Sequence, residues 1–261
     1  FYDVSLPLSM YGCLSVLTLS NTPKDILLKL EKICIDSFEN VLETMKKNYE
    51  VYSRYQSKPM NYKVKVKDFY GIYTEAKNLY GDSFEIAYNE KLSQLKSGFA
   101  SGELTILDAN FELVDFVIGY IPSEPTVVYG LMPPYYPHVS NKLFENLDPK
   151  ITALNKLINE FTATNFGEQY NKVNFFPGIS DLSYTNVINA DETKKALKDA
   201  MPLFETLYDV PIEYIKEIAM PCVNIGPWGK DLHKLTERVY KVDLLNRTPR
   251  LIDHVLQNIL G

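Results

Sequence analysis

The sequence predicts an α/β protein, the C-terminal part of a mainly parallel α/β sheet domain preceded by part of a smaller α+β domain, and three observations lead there. Apolar runs of strand length fall at residues 126–132, 172–176 and 221–225. Helical periodicity fills the intervals between them, the alternation that lays strands side by side in a parallel sheet. A separate strand, helix and strand occupy residues 1–80, so a boundary is expected near residue 80, with 1–80 as the smaller domain and 81–261 as the larger.

Residues 11–19 are rich in β-formers and end at Ser20-Asn21-Thr22-Pro23, an N-cap followed by a proline in the first helical turn. A long helix is expected next, because Ile26, Leu30, Ile33, Cys34, Phe38, Val41, Leu42 and Met45 recur at three- and four-residue intervals, with lysines mostly off that stripe. Residues 62–66 alternate polar and apolar types, as a half-buried strand does. Helices are expected at 84–95 and 107–120. After the strand at 126–132 comes a helix opened by Asp148-Pro149 and carrying Ile151, Leu154, Leu157, Ile158 and Phe161. Helical stretches at 191–207 and 212–218 are interrupted by Pro202 and Pro211, and the last helix starts at Thr248-Pro249 with Leu251, Ile252, Val255, Leu256 and Ile259 on its buried face.

Composition removes several functions from consideration. The 261 residues carry a net charge of −6 with lysine and arginine scattered, so no basic stripe exists to neutralise phosphates and nucleic acid is not an expected partner. No apolar run reaches the roughly 20 residues that cross a bilayer, and the N-terminus lacks a secretory leader pattern. The expectation is a cytoplasmic protein without a membrane partner. Cys13, Cys34 and Cys222 are odd in number and far apart, which suggests neither a disulfide framework nor a cysteine-type zinc site.

Each expected core strand runs into an unusual turn: Pro133-Pro134-Tyr135-Tyr136-Pro137-His138, then Pro177-Gly178-Ile179-Ser180-Asp181, then Gly226-Pro227-Trp228-Gly229-Lys230-Asp231-Leu232-His233. In open α/β sheets ligands bind beyond the carboxyl ends of the strands, so the three turns should line one crevice. His138 and His233 fall in these turns, and histidine is both a common metal ligand and an acid/base near neutral pH. His233 is the stronger candidate, since it follows a Gly-Pro-Trp-Gly turn and a short helix would set Glu237 on its face to brace the imidazole. Ordinary alternatives stand beside these. Either histidine can be a plain surface or core residue, Asp181 can simply cap the next element, and His254 is expected solvated on the polar side of the last helix.

Several segments together resemble a known family: Tyr2-Asp3-Val4 with Leu6-Pro7, Leu17-Thr18-Leu19 with Thr22-Pro23, the 133–138 turn, Phe176-Pro177-Gly178-Ile179-Ser180-Asp181-Leu182-Ser183-Tyr184, and Asn224-Ile225 leading into the Gly226 turn. They are similar to arginine-utilisation proteins of the RocB type, a branch of the zinc or cobalt hydrolases that includes acetylornithine deacetylase, succinyl-diaminopimelate desuccinylase and aminoacylase. The resemblance implies a zinc-peptidase-like sheet domain with a lid or dimerisation domain. It implies a metal-dependent amidohydrolase or peptidase, a deacylase of N-acyl amino acids or small peptides in arginine or other amino-acid catabolism, homodimeric through the lid. By that resemblance His233 is a metal ligand, Gly226, Trp228, Gly229 and His138 face substrate, and Glu237, Ser180 and Asp181 support them.

The chain departs from the family where metal chemistry is concerned. The family's first metal histidine with its aspartate, the bridging aspartate, the Glu-Glu pair and a further acidic ligand all precede the lid, and these 261 residues contain neither His-x-Asp nor Glu-Glu. The expectation is therefore a fragment beginning inside the lid, with no catalytic residue of its own, no zinc or cobalt held alone, and no activity alone. The alternative is a non-catalytic interaction or dimerisation protein derived from such a hydrolase.

Overall fold

Thr22 and Pro23 start the longest helix as the sequence predicts: α1 runs Pro23–Tyr52, and the Asp25 carboxylate accepts from the Thr22 backbone N–H at 2.8 Å. The computed structural model describes residues 8–52, 63–174 and 182–259. After α1 come β1 (Lys65–Asp68), α2 (Phe69–Tyr80), α3 (Asp82–Ser101), α4 (Ile106–Ile118) and β2 (Thr126–Tyr129). Then follow α5 (Pro149–Phe166), α6 (Ala190–Ala200), α7 (Ile212–Glu217), β3 (Gly229–Lys230), β4 (Arg238–Val239) and α8 (Thr248–Ile259).

The predicted mainly parallel α/β sheet domain is not what the chain forms. Among the described residues the strands make only two small pairs, β1 with β2 in parallel and β3 with β4 antiparallel, and the architecture is predominantly helical. The run at 11–19 is irregular and exposes Leu14, with Leu8 and Met10 exposed just before it, while Tyr11 sets its ring 4.4 Å from that of Phe111. Residues 172–174 carry no strand, and 175 and 176 lie outside the described residues. The run at 221–225 is irregular too, and at Cys222 a side chain bonds the backbone: Asn141 donates to the Cys222 carbonyl at 2.7 Å and accepts from the Cys222 N–H at 2.9 Å. That pair of bonds supplies locally what a neighbouring strand would have supplied.

The chain divides into two units, Phe1–Tyr135 with Asn189–Pro211, and Tyr136–Ile188 with Ile212–Gly261. In the first, α2, α3 and α4 surround a core of Phe69, Ile72, Phe84, Leu95, Leu113 and Val117, to which Leu203 is added from the segment after α6. Helix α2 lacks a sequence prediction, although Asp68 caps it by accepting from the Gly71 N–H at 2.8 Å. Thr105 and Asp108 form a reciprocal capping box at the start of α4. Helix α6 stops at Ala200, short of Pro202, so the predicted stretch to 207 is cut by the proline. The residue after β2, Gly130, leaves room for the Ala200 carbonyl, which a Cβ there would approach to 2.4 Å.

In the second unit α5 packs on α8 through Leu154, Ile158, Leu251 and Val255. Asp148 caps α5 with proline in its first turn, as predicted. His254 is not simply solvated: its ring stacks on Phe161 at 4.2 Å and 18°. One π-helical turn, Asp243–Arg247, leads into α8.

Candidate functional site

The Gly226 turn forms the neck of a small antiparallel hairpin. Gly229 pairs with Val239 and Lys230 with Arg238, and the Tyr240 N–H donates to the Trp228 carbonyl at 2.8 Å. Gly229 is required there by contact, because a Cβ would stand 2.8 Å from the Arg238 carbonyl oxygen.

The loop between β3 and β4 is a series of turns and not the short helix expected after His233. Asp231 and His233 both take positive φ, 58° and 61°, which no helix allows. The Asp231 carboxylate accepts from Thr236 Oγ1 at 3.0 Å and pairs with Arg238, so the loop is held by its own side chains. Glu237 does meet His233, but at the backbone: its Oε2 accepts from the His233 N–H at 3.1 Å. The His233 side chain is left exposed at the hairpin tip. Trp228 is 59% exposed, with the Lys230 ammonium 5.5 Å from its ring centroid.

His138 is half-buried, and its imidazole pKa lies below the ordinary value because burial disfavours the charged ring and Lys142 adds to the effect. The unfolded chain then takes up a proton at higher pH than the folded one, so stability present above the ordinary value of 6.5 is lost as pH falls through the folded value. Unfolding midpoints of the wild type and His138→Gln at about pH 8 and about pH 5 test this. The wild type should lose more on acidification, and equal losses would count against it.

Ser180 and Asp181 lie outside the described residues. The parallel sheet that was to gather three turns into one crevice is absent among the described residues. Nor does any group of three or more His, Cys, Asp or Glu stand together there in a way that could hold a metal ion. Zinc sites that do chemistry typically use three protein ligands, so the described residues do not by themselves fit the zinc or cobalt centre that the resemblance implies.

The base of the hairpin holds the feature that sequence reasoning missed. The Trp228 N–H donates to Asp243 Oδ2 at 3.2 Å, and Asp243 is only 7% exposed. Arg247 donates to Asp243 Oδ1 at 3.1 Å and to Glu168 Oε1 at 2.6 Å, with its guanidinium 5.9 Å from the Phe166 ring centroid. The available signal was an Asp and an Arg four residues apart just before a Thr-Pro helix start.

Comparison with known proteins covers the whole chain. It is 28% identical over 262 residues to "Uncharacterized protein YqjN" of Bacillus subtilis (strain 168), a match that takes in 99% of this chain and 46% of that protein. It is 30% identical over 134 residues to "Protein RocB" of the same organism, 51% of this chain and 24% of RocB. The chain is similar to RocB and YqjN. It spans about half the length of YqjN and a smaller share of RocB. No protein-family profile matches the chain, and no solved structure matches it. No described helix is long and apolar enough to cross a membrane.

Proposed function

We propose that this chain is part of a RocB-related, metal-dependent amide-bond hydrolase, a deacylase of N-acyl amino acids or small peptides in arginine or other amino-acid catabolism, and that it does not hydrolyse substrate alone. The observation that carries the reading is the hairpin around Gly229: a Gly-Pro-Trp-Gly-Lys-Asp segment folded back on itself, held at its base, and presenting Trp228, Lys230 and His233 to solvent. Residues exposed in a tight, self-bonded loop are placed to meet a ligand and add little to a core. Lys230, Lys234 and Lys241 give the hairpin region a cationic edge, while Asp231 is occupied by Arg238, which suits a substrate bearing a free carboxylate. Similarity along the full chain to a protein about twice as long supports assigning the remaining metal ligands to that additional length. In this reading His233 is one ligand, Gly226, Trp228, Gly229 and His138 face substrate, and Glu237, through the His233 backbone, fixes the loop.

The test is amine release from N-acetyl amino acids and dipeptides with zinc or cobalt supplied, by YqjN and by this chain, together with metal content of this chain after desalting. YqjN is expected to hydrolyse and this chain to be silent, with metal well below one per chain and lower still in His233→Ala. Absence of hydrolysis by YqjN, or stoichiometric metal that survives His233→Ala, would overturn the proposal.

A further inference from the structure

The geometry points to Asp243 as the positioning residue of the Trp228 hairpin, with Arg247 and Glu168 fixing the Asp243 carboxylate. The hairpin has little else to hold it. Each strand is two residues long, and Leu232, Leu235 and Val239 are exposed, so no apolar side chain of β3, β4 or their loop is buried among the described residues. A two-stranded hairpin of this size is marginal in water without outside support. Ile225, just before the turn, packs against the α5–α8 core and ties down one end. The Trp228 amide bond to Asp243 ties down the strand itself.

Asp243 suits that task because both of its oxygens are committed. Oδ2 takes the Trp228 N–H and Oδ1 takes Arg247, and the Asp243 side chain is itself nearly buried. Arg247 is oriented in turn by Glu168, which follows directly on Gly167 at the end of α5. Gly167 adopts a left-handed φ of 69°, a conformation that turns the chain out of the helix and sets Glu168 at this spot. The π-helical turn at Asp243–Arg247 thus links the hairpin to the ends of α5 and α8, and turns of this kind recur at functional sites. What the anchoring does for substrate rests on the hydrolase reading; the anchoring itself does not.

Trp228 is the single tryptophan of the chain, so its fluorescence reports on this hairpin alone. The experiment measures time-resolved Trp228 anisotropy and hydrogen exchange of the Trp228 and Tyr240 amides in the full chain, for the wild type, Asp243→Ala, Asp243→Asn and Glu168→Gln, with circular dichroism to verify folding. In Asp243→Ala the amplitude of Trp228 motion should rise and the Trp228 amide exchange about tenfold faster or more. Asp243→Asn keeps an acceptor but loses the charge, and Glu168→Gln acts two bonds away, so both should show smaller shifts in the same direction. If Asp243→Ala does not fold, those two variants decide. Folded variants with unchanged Trp228 motion and unchanged exchange would overturn the assignment. Neither readout involves hydrolysis, so this failure is distinct from failure of the proposed activity.

Discussion

Phe84→Ala should destabilise the first unit by about 3–5 kcal/mol, the range for removing a buried aromatic ring from a packed core. Phe84 has 0% exposure, and the rings of Tyr73, Tyr88 and Tyr120 stand 5.4, 5.7 and 5.2 Å from its centroid. Three aromatic neighbours of this size cannot collapse into the void without losing their mutual edge and tilted packing, so relaxation recovers little. A domain of ordinary stability has about 5–15 kcal/mol in total, so the variant should unfold at much lower urea, as followed by far-UV circular dichroism. Phe99→Ala, at an exposed position of α3, provides the comparison and should lose less than about 1 kcal/mol. Similar losses in the two variants would show that the core is not organised around Phe84.

The second large effect is expected at Arg247, in the other unit. Arg247→Ala leaves the nearly buried Asp243 without its cation and Glu168 without its partner, while the Phe166 ring keeps Arg250 5.2 Å from its centroid. Removing the cation leaves the nearly buried Asp243 carboxylate with neither solvent nor partner, which lowers the unfolding midpoint, and the partial exposure of Arg247 and Glu168 moderates the loss. Arg247→Lys should fall between, because a single nitrogen, Nη1, donates to both carboxylates, and the lysine ammonium sits on a stem one atom shorter and must reach the same point. Denaturation followed by Trp228 fluorescence measures the series. An unchanged unfolding midpoint for Arg247→Ala would mean that the network is a solvated surface arrangement.

Much of the helical part of the fold was legible because its signals are local. Thr22-Pro23 and Asp148-Pro149 each announce a helix start, and the structure begins α1 and α5 at those prolines. Strands were less legible, since a five-residue apolar run is consistent with a strand only if a partner is available. At 126–129 the partner is β1, and a strand forms; at 221–225 the backbone of Cys222 is bonded to the Asn141 side chain instead, and none does. The candidate site was legible as a motif and not as a shape. Gly226-Pro227-Trp228-Gly229 marked the turn correctly, whereas the spacing of His233 and Glu237 fits a helix as well as a hairpin loop. Positive φ at Asp231 and His233 separates the two, and neither residue type demands it. The Asp243–Arg247–Glu168 network joins residues up to 79 positions apart, and only the folded chain brings them together.

The division of each unit into two chain segments bears on the order of synthesis. Leu203 has 0% exposure and belongs to the same core as Phe69 and Phe84, yet residues 136–188 of the other unit are made between them. A ribosome adding about 5–20 residues per second must therefore finish α6 and the turn after it before the first core can close. In that interval the face of α2, α3 and α4 that receives Leu203 stands uncovered on the nascent chain. Leu251 and Val255 are made later still, so between the synthesis of α5 and that of Leu203 the nascent chain holds two incomplete apolar surfaces at once, and the α5 face stays uncovered until α8 emerges.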